Sequence, residues 1–253
     1  MKLFLSLLIP SLIALSSPLL AADSTVPLFK HCNQFSDISE PMENFTNDLA
    51  QELGRRIDAS IKHFNAPTKR CINMLKTGEI DFMIYSHETK DRAKFMNYIL
   101  TTNDEEIIFL TRKNDGDWLR QLSDLENKTI AVVDGIQYFE KLSADSKINK
   151  KTVLNQKQLP NILMSGRVDA FPTYKGLAVN ILAAYPDIAK ASYGIKNHKM
   201  SFLIVSKKSL LQKRIKELNR ISQGMFEDGY LDMKLKEHIP GVTSPFSKTS
   251  DRN

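Results

Sequence analysis

The residues with the chemistry to act on a substrate are few and thinly spread along these 253 residues. His87-Glu88 opens like a zinc-protease H-E-x-x-H but has no second histidine four positions on. Ser165-Gly166 lacks the first glycine of a nucleophile elbow, and no Walker A run is present. The five histidines are scattered, so the spacing shows no metal site. The ten glycines do not cluster as a phosphate cradle, and no cofactor is implied. A general acid would have to be Glu88 or Asp134, and nothing in the pattern singles either out. Cys32 and Cys71 are the only cysteines. In an oxidising compartment they can cross-link, and two buried free thiols fit the sequence as well.

The elements that must position these groups alternate. Short β-type runs cover 26–29, 59–64, 81–85, 106–111, 129–133, 151–154, 169–173 and 201–205, with helical patterns between them, the signature of βα units and a largely parallel sheet. In the helix predicted over 43–56, Phe45, Leu49, Leu53 and Ile57 recur every four residues. A last long helix starts at the N-cap Ser209, turns Leu211, Ile215, Leu218 and Ile221 inward, and stops at Gly229. No repeat or flexible tether divides the chain, so any division into lobes must run through strands. The two crossings fall near 107–112 and 201–207, giving one lobe from 23–110 and 206–253 and a second from 113–200.

The first 22 residues read as a signal peptide: a basic start at Lys2, an apolar stretch to Leu20, and small residues at Ala21-Ala22. A membrane anchor is the alternative, weakened by Pro10, Pro18 and four serines. The remaining chain of about 230 residues has no second run of spanning length and is expected to be soluble and periplasmic. The formal charge of +6 includes Lys2 and is dispersed. Its densest part, Lys207-Lys208 to Lys213-Arg214, lies on an amphipathic helix, so no nucleic-acid partner is expected.

Four motifs in order carry a resemblance. Met74-Leu75-Lys76-Thr77-Gly78-Glu79-Ile80-Asp81 is followed by Thr89-Lys90-Asp91-Arg92. Asp124-Leu125-Glu126-Asn127-Lys128-Thr129-Ile130-Ala131-Val132 leads to Gly135, then come Gly166-Arg167-Val168-Asp169-Ala170 and Glu227-Asp228-Gly229-Tyr230-Leu231. Together they resemble the family 3 periplasmic solute-binding proteins. That resemblance implies an α/β, two-lobed type II binding-protein fold, each lobe a mixed, mostly parallel sheet flanked by helices. It implies a monomer that captures a small polar or anionic solute between its lobes for an ABC-type transporter or inner-membrane sensor. Gly78 and Gly166 fit helix ends where positive φ lets a strand follow, and Asp81 and Asp169 fit turns with free backbone donors.

In amino-acid binders of the family, the residue matching Arg92 holds the ligand carboxylate beside the one matching Thr89, a geometry suited to a planar guanidinium. A surface salt bridge to Asp91 or Glu88 is the alternative for Arg92. Ser86, Gly135, Ile136, Gln137 and Tyr174 complete the implied ligand-binding set. A helix beginning near Gln137 would turn backbone N–H groups of this region toward the cleft. The chain departs from the pattern in three places. Tyr174 stands where an acidic residue usually meets the ligand ammonium, His31-Cys32-Asn33-Gln34-Phe35-Ser36 replaces a Pro-Pro-aromatic stretch, and Ile136-Gln137 follow Gly135. Without that acid a buried ammonium is costly, so the ligand is expected to differ from a standard α-amino acid, or the site to have changed role. Two other readings stay open: an enzyme on the same fold, similar to the cyclohexadienyl dehydratases, and a degenerate member acting through protein partners.

Overall fold

A computed structural model of the chain describes residues 26–35, 40–240 and 242. Residues 1–22, read from the sequence as a signal peptide, lie outside this range, as does Ser36. The strands are β1 Leu28–Asn33, β2 Ser60–Asn65, β3 Phe82–Ser86, β4 Met96–Arg112, β5 Thr129–Val133, β6 Asn149–Val153, β7 Ala170–Tyr174 and β8 Ile188–Ser206. The helices are α1 Glu40–Arg56, α2 Thr68–Thr77, α3 Lys90–Ala93, α4 Glu140–Ala144, α5 Gln158–Met164, α6 Lys175–Ala184, α7 Ile215–Glu227 and α8 Tyr230–His238. No helix among the described residues is long and apolar enough to cross a membrane.

The strand order is β2-β1-β3-β8-β4-β7-β5-β6, and the two antiparallel strands in the middle serve two sheets. The early part of β4 and the late part of β8 pair with each other beside β3, as in Ile99 with Leu203 and Ile84 with Leu203. The late part of β4 pairs with β7, from Ile107 opposite Tyr174 to Thr111 opposite Ala170. Two mixed sheets of five strands result, each flanked by helices. In the first, β1 is parallel to β2 and β3; in the second, β5 is parallel to β6 and β7.

The predicted strands at 106–111 and 201–205 are parts of much longer elements of 17 and 19 residues. Their remaining parts contain polar runs, Thr101 to Glu105 and Lys196 to Lys199, whose composition hides the continuity of the strand. Pairing with a neighbouring backbone overrides that composition. The first strand also lies further on than 26–29. His31, Cys32 and Asn33, expected in the following loop, are paired with His63, Phe64 and Asn65 of β2 and are buried.

Each sheet has the same turn ahead of an inner strand. Gly78 ends α2 with φ of 84°, and Asp81 then accepts the Lys30 N–H at 2.8 Å and the Ser209 hydroxyl at 2.6 Å. Gly166, at φ of 70°, follows α5, and Asp169 accepts the Thr129 N–H at 2.8 Å. Each carboxylate thus satisfies a donor at the opening of the neighbouring strand, which would be costly to leave bare. The α1 face seen in the sequence packs as expected: Phe45, Leu49, Leu53 and the following Ile57 are buried. Each contributes roughly 1.5–3 kcal/mol by the area it removes from water. The helix expected from Ser209 stops at Gly229 as foreseen, with a 3-10 turn over Leu210–Arg214 ahead of α7, and Gly229 at φ of 77° leads into a further helix, α8.

Cys32 in β1 and Cys71 in α2 form a disulfide across a sequence separation of 39, within a small core of Leu75, Ile80, Met83 and Ile204. A cross-link of that span restricts the unfolded chain by about 4 kcal/mol in the loop-entropy account. Nearby, the His31 and His63 Nδ1 atoms lie 3.0 Å apart, so one ring must donate and the other accept. Burial, and then the neighbouring His63, pushes His31 down to about 3.

In urea unfolding, Cys71→Ala is expected to lose about 2–5 kcal/mol relative to wild type, and dithiothreitol to erase the difference; equal stability under both conditions would show that the cross-link contributes nothing. His31 stays neutral in the fold but takes a proton in the unfolded chain below about pH 6.5. Its contribution is therefore complete above that pH and lost on acidification. The stability difference between wild type and His31→Asn should shrink by about 2 kcal/mol from pH 7 to pH 5, whereas a pH-independent difference would contradict the burial of a neutral ring.

Candidate functional site

In both sheets the parallel strands deliver their carboxyl ends to the same region, the place where open α/β sheets present ligand-binding groups. From the first sheet come Asn33, Gln34 and Phe35 after β1, and Ser86 and His87 at the end of β3. From the second come Asp134 and Gly135 after β5 and Tyr174 at the end of β7. The two sets touch. Lys69 in α2 pairs with Asp134 at 2.9 Å. The His87 ring stacks on Tyr174 with centroids 4.7 Å apart, and Tyr174 stacks in turn on Tyr138 at 6.1 Å. Gln34 closes the other side by donating to the carbonyls of Ile84, at 3.4 Å, and Tyr85.

Local structure holds Arg92 at this contact. Thr89 is the N-cap of α3 and its hydroxyl accepts the Arg92 backbone N–H at 3.2 Å. The guanidinium then reaches the Ser86 hydroxyl through Nη1 at 3.5 Å and the Gly135 carbonyl through Nη2. Ser86, Thr89, Arg92 and Gly135 are thus brought together. Arg92 has no carboxylate partner among the described residues. Asp91 pairs with Lys94 at 2.7 Å and Glu88 is exposed, so neither makes the alternative salt bridge. Burial lowers the Arg92 pKa, the direction expected when a charge loses water without gaining an anion. Burial also pushes Tyr98, beside it, up to about 12. The arrangement is a half-buried cation whose acceptors are a neutral carbonyl and a hydroxyl, which an anion can replace with a stronger charge-assisted bond.

Gly135 is required at its position. Its φ is 84°, and a Cβ there would stand 2.7 Å from both the Cα and the N of Lys69. Only glycine lets the β5 turn approach α2 so closely. The segment after it differs from the expectation of a helix near Gln137. Residues 136–139 are irregular, and α4 starts at Glu140 with Phe139 as its N-cap. The Gly135 carbonyl, not a row of helical N–H groups, meets the guanidinium. Ile136 is half-buried against the core of the second sheet. Gln137 has an exposed side chain, and its carbonyl accepts the Tyr174 hydroxyl at 3.4 Å.

Tyr174 is buried and its hydroxyl is held well above its ordinary pKa, first by burial and then by Tyr138 and Glu105. Sequence reasoning missed His87, Tyr138, Lys69 and Glu105. His87 directly follows β3, a usable signal, while Glu105 sits in an Asn-Asp-Glu-Glu run that reads as solvated. The candidate general acids do not form a catalytic pair: Glu88 is exposed and Asp134 is occupied by Lys69.

Comparison with known proteins agrees with this geometry. Residues 34–240 match the model of the bacterial extracellular solute-binding proteins, family 3. The Vibrio harveyi protein PatH, named as an amino-acid ABC transporter-binding protein, is 28% identical over 138 residues, 52% of this chain and 54% of its own. The match therefore spans about half the length of that relative. Among solved structures, a mutant of ArgBP from T. maritima superposes with a TM-score of 0.71 at 22% identity, over 83% of this chain and 93% of that one. An ancestral arginine-binding protein bound to arginine gives 0.71 at 20%, over 83% and 97%. AbpA from Streptococcus pneumoniae, an amino acid ABC transporter substrate-binding protein bound to L-arginine, gives 0.71 at 16%, over 86% and 96%. At such identities these structures establish the two-lobed fold. The family and the relatives named with it are binding proteins, not enzymes, and the dehydratase-like alternative finds no support among them. With its family model matched over most of its length, the chain belongs to the bacterial extracellular solute-binding proteins, family 3.

Proposed function

We propose that the mature chain is a monomeric periplasmic protein that binds an amino-acid-type solute between its lobes and presents it to an ABC transporter or an inner-membrane sensor. The observation that carries this reading is Arg92, a half-buried guanidinium at the contact between the two sheets with no carboxylate partner among the described residues. A solute carboxylate would take the place of the Gly135 carbonyl, with Ser86 and Thr89 beside it. The names of PatH and AbpA support an amino acid as the solute class and an ABC transporter as the partner. Export is supported by residues 1–22, read as a cleaved leader, and by a disulfide suited to an oxidising compartment.

The lobes in this proposal are those expected from the sequence, with the hinge a few residues earlier in each strand. The β4 partner changes between Thr102 and Ile107, opposite the stretch of β8 from Met200 back to Ile195, and the register shifts there. A shift in pairing is where two crossing strands can bend without losing the ladder on either side. Both lobes contact a solute only when closed, so the solute stabilises the closed arrangement.

A thermal-shift screen of residues 23–253 against L-amino acids and organic acids tests the reading. A ligand at one hundred times its Kd adds about 2.7 kcal/mol of stability. Arg92→Ala is expected to abolish that gain while unfolding cooperatively by itself, and a shift that survives the substitution would overturn the role of Arg92. Closure has its own test. Gly135→Ala should lower the ligand-free melting temperature modestly, because φ of 84° strains a side chain in either arrangement, and should in addition weaken binding at least tenfold, about 1.4 kcal/mol, because its Cβ meets the Lys69 backbone when the lobes are together. Unaltered affinity would mean that binding does not need this approach.

A further inference from the structure

Glu105 and Glu106 are neighbours on β4 with opposite fates. Glu106 is served by two lysines, Lys175 at the start of α6 at 3.0 Å and Lys190 of β8 at 3.5 Å. Glu105 is buried, 9% exposed, and makes no ion pair among the described residues; its Oε1 accepts the Glu106 N–H at 3.1 Å, and Lys175 acts on it only at longer range. A carboxylate hidden from water without a cation is costly, and such groups persist where something else benefits from the charge.

Its position says what benefits. The β4–β7 ladder ends at Ile107 opposite Tyr174, so Glu105 stands just beyond the carboxyl end of β7, at the region described above. The register shifts on both sides of it, between Thr102 and Glu105 and between Glu105 and Ile107, the irregularity that re-aims side chains next to binding sites. The Tyr174 hydroxyl lies within electrostatic range of both Glu105 and Arg92. Among the described residues neither Glu105 nor Arg92 makes a salt bridge to an opposite charge, and both act on the same phenol.

We propose that Glu105 is a specificity-determining residue that receives the cationic group of the solute, the task for which Tyr174 leaves no acid at the end of β7. This rests on the reading of Arg92 as the seat of the solute carboxylate. The solute is then a zwitterion, carboxylate on the first lobe and ammonium at the crossing strand, with the Tyr174 ring between. The groups facing Glu105 are Glu106 on its own strand, Lys175 of α6 and Tyr174 of β7, and His198 occupies the opposite register position on β8. Burial, with Glu106 beside it, pushes the Glu105 carboxyl up to about 7. A cation placed against it favours the ionised form, so binding below pH 7 must release a proton and weakens as the pH falls.

The test is titration calorimetry of wild type, Glu105→Gln, Glu105→Asp and Arg92→Ala with the proteinogenic L-amino acids and the matching 2-hydroxy acids. Wild type should prefer an amino acid to its hydroxy acid, with affinity falling from pH 8 to pH 6. Glu105→Gln should lose roughly thirtyfold for the amino acid, bind the hydroxy acid unchanged, and show no pH dependence. Glu105→Asp keeps a carboxylate and should keep the proton release, which separates a lost charge from a damaged fold. If Glu105→Gln binds the amino acid like wild type, or if wild type binds the hydroxy acid as tightly, the assignment to Glu105 falls while the Arg92 reading stands, provided Arg92→Ala loses both classes. If wild type binds neither class, both fall together.

Discussion

The long antiparallel ladder of β4 and β8 is the constraint on which the rest depends. Two strands of 17 and 19 residues belong to both sheets at once, so the halves are joined by backbone hydrogen bonds and not by a tether. A ladder is stiff where its register is regular and bends where it shifts, and the shifts fall between the two sheets. The same ladder fixes where the other strands end. With β3 paired to β8 and β7 paired to β4, Ser86, His87 and Tyr174 meet across a single gap, and α2 is held against the turn after β5.

What fills that gap is mostly neutral. The Arg92 guanidinium rests on a carbonyl and a hydroxyl, and an aromatic column of His87, Tyr174 and Tyr138 occupies much of the space beside it. Lys69 and Asp134 form an ion pair at the rim, both partly open to water, where such a pair contributes no more than about 1 kcal/mol. The contacts that bring the lobes together are thus individually weak. In the proposed reading that weakness is functional: a solute carboxylate at Arg92 replaces a neutral acceptor by an ionised one, and the gain falls on the closed arrangement alone.

Much of the frame was legible in the sequence because its signals are local. Gly78 with Asp81 and Gly166 with Asp169 announce their turns by residue type and spacing, and Phe45, Leu49 and Leu53 announce a helix face by period. Signals that depend on distant pairing were hidden. The polar stretch from Thr101 to Glu105 has no strand pattern, yet β8 holds it extended. His31 to Asn33 looked like loop because their type is polar, although β2 matches them residue for residue. The helix expected near Gln137 fails because α4 waits until Glu140, leaving a carbonyl where N–H groups were expected. Within the site, Arg92, Thr89 and Tyr174 could be picked out individually. Glu105 could not, since only the three-dimensional arrangement shows ion pairs from two lysines to Glu106 and, among the described residues, none to its neighbour.

In the proposed reading the lobes close around an amino-acid-type solute. Small-angle X-ray scattering of residues 23–253, titrated with the proteinogenic L-amino acids, measures that directly. At least one of them is expected to contract the radius of gyration, with a change that saturates at one equivalent. A folded protein whose scattering no amino acid alters would contradict it.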